Sequence, residues 1–366
     1  MAPTALLIGG TGPTGPLIAA GLEARGHEVT LFHSGRHEVE DIAHLRHLHG
    51  DAYDRDSLVD VLADETFDVV VASYGRLRVI AELLAGRVGR FLSIGGVPVY
   101  KGYFDPEAHE PAGLPVPTAE DAVLATEDDD GKSYRIGRTE EIVFEHHPTA
   151  THFRYPFVYG PRQLVPREWC IVRRILDGRP FLILPDDGLS LVTFGYVDNL
   201  AHALLLAVDR PEASRGEIFN CGDEECLSLR QVAELLTDEL GHEWELIGMP
   251  SALATPARPL MMNHRTTHRV MDLAKLRDLL GYRDVVPARE AIRRTGRWLA
   301  AHPPAAGGEE EAVLEDPFDY AAEDRLVAWW RTATADPPDL GYTTEPGYGL
   351  AYGGPGATRV RSDDRI

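Results

Sequence analysis

The stretch from Ala5 to Leu22, ALLIGGTGPTGPLIAAGL, limits the fold more than any other part of the chain. Four apolar residues, Ala5 to Ile8, read as a buried strand of a parallel sheet. Gly9, Gly10, Gly12 and Gly15 then crowd a turn, with Pro13 where the first turn of a helix tolerates a missing N–H. The helix continues through Leu17, Ile18 and Leu22 and is expected to stop near Gly26. An ordinary tight turn would also use glycines. The next segment, Glu28 to Phe32 (EVTLF), decides between the two readings, because it is a second strand at the spacing of a βαβ unit. In such a unit, backbone N–H groups and the helix dipole meet the pyrophosphate of a dinucleotide. Gly9, Gly12, Pro13, Thr14 and Gly15 are the expected contacts.

After the second strand comes His33-Ser34-Gly35-Arg36. NAD-selective sites usually carry an acid here, which accepts from the ribose 2′-hydroxyl. This chain offers instead the hydroxyl of Ser34 and the guanidinium of Arg36, groups suited to a 2′-phosphate, so NADP is expected ahead of NAD. A solvent-facing Arg36 is the alternative. His44, His47 and His49 follow in HLRHLH, and their i, i+3, i+5 spacing predicts no metal site. Asp51 and Ala52 are placed toward the adenine side of the cofactor. A helix is expected over 57–63, a strand over Phe67–Ala72 that ends at Ser73-Tyr74-Gly75, a helix over Val79–Leu84 and a strand over Arg90–Ile94. Ser73, Tyr74 and Gly75 join the predicted cofactor residues.

The net charge of −22 over 366 residues repels phosphate backbones and anionic membranes, so neither nucleic acid nor membrane is an expected partner. Three cysteines, Cys170, Cys221 and Cys226, form no disulfide or metal-ligand spacing. The N-terminus lacks the basic flank of a signal peptide, and no apolar run is long enough to span a bilayer. These features predict a soluble, cytoplasmic protein with a small-molecule substrate, and leave a homodimer open.

By this point several stretches match a family: GGTGPTG at 9–15, GDAYD at 50–54, IGGVPVY at 94–100, YRIGR at 134–138, RYPFVYGPR at 154–162 and VTFGYVDNLAHAL at 192–204. IFNCGDEECLSLRQVAELL at 218–236 and LAKLRDLLGYRD at 273–284 extend the match. The chain resembles the short-chain dehydrogenase/reductase superfamily in its extended, epimerase/dehydratase-like branch. The resemblance implies an α/β fold, a Rossmann-type doubly wound parallel sheet with a smaller mixed C-terminal substrate domain. Residues 1–162, rejoined by 190–222, are assigned to the cofactor domain, 163–189 and 223–300 to the substrate domain, and 301–366 to a C-terminal helix and irregular tail. The third glycine of the extended fingerprint is read as replaced by Ile18, and Tyr155 is assigned to the cofactor side.

The family's redox site is Tyr-x-x-x-Lys with a hydroxyl residue from the fifth strand. The tyrosine exchanges a proton with substrate while hydride moves to or from nicotinamide. Here Tyr134 and Arg138 take the first pair, and both are assigned to cofactor as well as catalysis; the serine position falls on Gly96, with Ser93, or Ser133 beside Tyr134, as substitute. The asparagine that meets a nucleotide-sugar diphosphate falls on Phe157, and the sugar dehydratases' acid pair falls on Val97 and Pro98. The expected function is therefore an NADP(H)-dependent oxidoreductase acting on a small-molecule carbonyl or alcohol other than a nucleotide sugar. A cofactor-retaining non-redox epimerase or dehydratase, and a non-catalytic dinucleotide-binding regulator, are the alternatives. Apart from the motifs, Asp198 is expected to cap a helix, and Ser228 with Gln231 to form a capping box. Phe318, Ala322, Leu326 and Trp330 should share one stripe of a later helix.

Overall fold

A computed structural model describes residues 2–35, 39–73, 76–261, 265–344 and 346–347. Arg36, Tyr74 and Gly75 lie outside the described residues. The chain opens with β1 (Thr4–Ile8), α1 (Gly15–Glu23), β2 (Glu28–His33), β3 (Arg46–His49) and α2 (Arg55–Leu62). It continues through β4 (Phe67–Ala72), α3 (Leu77–Leu83), β5 (Val88–Gly96), α4 (Gly131–His146) and β6 (Thr151–Tyr155). Beyond these come β7 (Phe157–Tyr159), α5 (Trp169–Leu176), β8 (Phe181–Pro185), β9 (Phe194–Tyr196), α6 (Val197–Asp209), β10 (Ile218–Asn220) and β11 (Glu245–Met249).

Seven strands make one sheet in the order β10-β6-β5-β4-β1-β2-β3, with every pairing parallel. The alternation of apolar side chains explains why helices cover both faces. Ala5, Leu7, Leu31, Val69, Val71 and Leu92 point to one face, where α1 and α6 bury Ile18, Leu22, Leu200 and Leu204 against them. Leu6, Ile8, Phe32, Val70 and Ala72 point to the other, against Leu58, Leu62, Ile80 and Val143 of α2, α3 and α4. The strand order reverses beside β1. Ligands of doubly wound sheets lie at such a point, over the carboxyl ends of the strands.

Residues 1–316 form one compact unit and 317–366 a second. Within the first, β8 pairs with β11 in parallel, which joins the two segments assigned to a substrate domain. Residues 301–316, assigned to the tail, belong to this unit, where Glu311 accepts from Trp169 Nε1 at 3.0 Å and Asp316 from Arg174 Nη1 at 2.7 Å. In the second unit a helix runs over Tyr320–Thr334, with Phe318, Ala322, Leu326 and Trp330 half-buried and Glu323 and Val327 deeper. No helix of the described residues is long and apolar enough to cross a membrane.

Two local expectations are corrected. Helix α6 starts one residue before Asp198, so Tyr196 is its cap and Asp198 lies inside the first turn. Pro16, not Pro13, occupies the first turn of α1, while Pro13 is buried in the preceding loop.

Candidate functional site

The glycine turn links the carboxyl end of β1 to α1. Gly9 has φ +84°, and its N–H donates to the Phe32 carbonyl at 3.0 Å, which ties the turn to β2. Gly12 N–H donates to the Gly9 carbonyl at 3.3 Å and Gly15 N–H to the Gly12 carbonyl at 3.0 Å. A Cβ on Gly15 would lie 2.0 Å from the Gly10 carbonyl oxygen, so helix and turn approach here as only glycine allows. The three-residue repeat is thus complete at Gly9, Gly12 and Gly15, and Ile18, fully buried in the core, replaces nothing. Thr14 precedes α1 without a side-chain cap bond.

The neighbouring strand ends complete this side of the crevice. Ser73 hydroxyl donates to the Ile8 carbonyl at 2.8 Å, locking the end of β4 to β1. Asp51 is exposed after β3, where its carboxylate accepts from Tyr53 N–H at 2.8 Å, and the Ala52 carbonyl accepts from Arg76 N–H at 3.0 Å. Ser34 is exposed just beyond β2.

At the β5–β6 side Ser93 and Tyr155 are both buried. Ser93 is fully buried, with Oγ 2.7 Å from His152 Nδ1, so it cannot orient a substrate in the crevice. Tyr155 is also buried, its hydroxyl donating to the Leu200 carbonyl at 2.9 Å on the face packed by α6. Gly95 makes room for this layer, since a Cβ there would sit 2.5 Å from His152 Nε2.

Tyr134 and Arg138 both lie on helix α4. Helix α4 is N-capped by Asp130 and buries Ser133, Gly137, Glu140 and Val143. It meets α3 through Arg78, whose Nε donates to Thr139 Oγ1 at 3.0 Å and whose Nη2 donates to the Arg135 carbonyl at 2.7 Å. At about 100° per residue, Thr139 lies about 100° to one side of Glu140, whereas Tyr134 lies about 120° to the other and Arg138 about 160° away. Tyr134 is half-buried in the first turn of α4, at the end of the helix that lies toward the carboxyl ends of the strands, and Arg138 forms an ion pair with Glu141. Ile136 packs with Val97, Val99 and Tyr100, and the exposed Lys132 holds its ammonium 4.8 Å from the centre of the Phe104 ring.

Beneath this region lies a buried polar network that the motifs did not reveal. Arg154 of β6 donates from Nε and Nη2 to the two Glu140 oxygens at 2.9 and 2.7 Å, and from Nη1 to Tyr100 Oη at 2.8 Å. Tyr100 in turn donates to Asn220 Oδ1 at 2.6 Å. Burial would raise the Glu140 carboxyl, but His152 and Arg154 outweigh it and hold it at about 2. Burial pushes the Tyr100 phenol up to about 12, against the opposing pull of Arg154. An arginine inside the apolar strand THFRY was the available signal, because a buried guanidinium requires a carboxylate partner. A second buried acid, Asp223, accepts from Tyr159 Oη at 2.6 Å, Asn199 Nδ2 at 2.8 Å and Tyr196 N–H at 3.0 Å. Desolvation nonetheless raises it to about 7.

Comparison with known proteins agrees with this architecture. The family model for the NAD dependent epimerase/dehydratase family matches residues 5–101 and 139–222. The chain is 30% identical over 249 residues to a chloroplast stem-loop binding protein of 41 kDa from Arabidopsis thaliana, a match spanning 63% of this chain and 61% of that protein. UDP-glucose 4-epimerase from Thermotoga maritima superposes with a TM-score of 0.64 at 18% identity, covering 82% of this chain and 99% of the epimerase. UDP-glucuronic acid 4-epimerase from Bacillus cereus, solved in complex with NAD, gives 0.62 at 16% identity over 82% and 99% of the two chains. The chain belongs to the NAD-dependent epimerase/dehydratase family, in the extended branch of the short-chain dehydrogenase/reductase superfamily.

Proposed function

We propose that this protein binds NADP(H) across the carboxyl ends of β1, β2 and β4 and transfers hydride to or from a small-molecule carbonyl or alcohol. The observation that carries the reading is the glycine turn, where Gly15 lets α1 close on Gly10 and present its N-terminus to a pyrophosphate. When bound, the nicotinamide supplies the hydride chemistry; the chain supplies position and proton transfer. NADP is favoured over NAD because His33 stands where an acid would accept from the ribose, with Ser34 next to it and Arg36 beyond in sequence. Against a nucleotide sugar stand the apolar Val97 and Pro98, and Phe157, whose ring lies 6.2 Å from that of Phe194.

In this reading Tyr134, in the first turn of α4, is the proton donor to the substrate oxygen, and Arg138, four residues on, supplies the cation that stabilises its phenolate. The strongly acidic surface and the small-molecule site argue against RNA as a partner, in contrast to the stem-loop binding relative. Isothermal titration of NADPH and NADH tests the cofactor reading. Tighter binding of NADPH supports it; no binding of either cofactor overturns it. Oxidation of NADPH across a panel of ketones and aldehydes, followed by absorbance, then separates a reductase from a binding protein.

A further inference from the structure

Strands β2 and β3 run side by side and parallel, with Leu31 opposite His47 and His33 opposite His49. Side chains two residues apart on a strand share a face, and so do register partners on its neighbour. His47 and His49 therefore stand with His33 on one face at the sheet edge. The ring centres are 4.9 Å apart for His33–His47 and for His33–His49, and 6.0 Å for His47–His49. One nitrogen from each ring lies within 4.8 Å of one from each of the others. His47 Nε2 lies 2.9 Å from the Ile42 carbonyl, so that nitrogen carries the proton and Nδ1 turns its lone pair inward, 2.7 Å from His33 Nε2. A backbone carbonyl that fixes the tautomer in this way is the usual outer support of a metal-bound histidine.

We propose that His33, His47 and His49 form a three-imidazole site for a divalent transition-metal ion of the zinc class, with water or another small ligand completing the coordination. Imidazole selects zinc, copper and nickel over magnesium and calcium, which prefer oxygen. Zn–N bonds of about 2.0–2.1 Å place tetrahedral ligand nitrogens roughly 3.4 Å apart. That spacing lies between the 2.7 Å and 4.8 Å seen here, so side-chain rotation assembles the site. Binding replaces the His33–His47 hydrogen bond with two nitrogen–metal bonds. His33 moves its proton from Nε2 to Nδ1 and gives up the Gly35 N–H, which donates to Nδ1 at 3.2 Å. His44 takes no part, since it pairs with Glu23 at 3.0 Å. The third ligand comes from sheet register, which is why HLRHLH read alone predicts no site.

The test is titration of chelator-treated full-length protein with Zn2+ by calorimetry and with Co2+ by visible absorption, in wild type, His49→Ala and His47→Ala. His49 is exposed, so His49→Ala preserves the metal-free fold, which thermal denaturation without metal checks. The proposal expects one equivalent of Zn2+ and intense four-coordinate Co2+ bands, with affinity in each variant falling by more than the roughly 10- to 100-fold that loss of an outer hydrogen-bonding partner costs. If His47→Ala fails to fold, His49→Ala decides. No binding to wild type, or unchanged affinity and spectrum in His49→Ala, overturns the proposal.

Discussion

On the β1 side of the crevice, recognition is written in backbone: Gly9, Gly12 and Gly15 shape a turn whose N–H groups and close helix contact need no particular side chain. On the β5–β6 side polar side chains are engaged with one another: Ser93 and Tyr155 are buried, Arg138 pairs with Glu141, and Arg154 locks onto Glu140. A glycine turn is kept by backbone geometry alone, whereas a site built from side chains depends on which partners claim them.

On the β1 side the largest expected effect comes from breaking the glycine turn. Gly15→Ala forces a Cβ against the Gly10 carbonyl oxygen, where no flexible side chain can yield. Cofactor affinity should fall by about 10²-fold or more, the equivalent of about 3 kcal/mol, as measured by isothermal titration. On the β5–β6 side, Glu140→Gln leaves the Arg154 guanidinium buried without its carboxylate. Urea denaturation should show a loss of about 3–5 kcal/mol, while replacing both partners with methionine should recover much of it.

Asp223 sharpens the comparison through pH. Its folded pKa of about 7 exceeds the ordinary carboxyl value of 3.8, so the native state binds more protons in between. Its contribution to stability is fully present below about pH 4 and is lost as pH rises toward 7. The loss is on the order of 2–4 kcal/mol across that window. Wild type minus Asp223→Asn unfolding free energies, measured at pH 4, 5.5 and 7, should show this slope; parallel curves would refute it.

Turnover separates Tyr134 from Ser93. Tyr134→Phe should lower it by about 10²- to 10⁴-fold on the reduced substrate, the range for one positioned acid or base. Ser93→Ala should stay within about two-fold of wild type, because Ser93 is buried with its hydroxyl against His152. A Tyr134→Phe variant with full turnover would remove Tyr134 as the acid.

What could be read from the residues follows the same division. The βαβ unit, the strand Phe67–Ala72 and the Ser228–Gln231 capping box are local patterns, and each forms where the residues place it. Gly26 and Gly241, both with φ near the left-handed region at +82° and +65°, follow their helices as expected. The buried polar partners depend on relations that spacing does not contain. The Glu140–Arg154 pair joins α4 to β6 across residues that no local pattern links. Ser93 lies on the right strand, but His152 opposite it on β6 claims its hydroxyl. His33 joins His47 and His49 only through the pairing of β2 with β3.

At the centre of the proposed function is a dinucleotide held on the glycine turn with Tyr134 beside its nicotinamide end. A crystal structure of the protein with NADPH bound measures this directly. The expected result is pyrophosphate on the Gly9–Gly15 turn and the Tyr134 hydroxyl within about 3.5 Å of the nicotinamide ribose or the nicotinamide. Pyrophosphate elsewhere, or a Tyr134 oxygen well beyond hydrogen-bond reach of both, would contradict it.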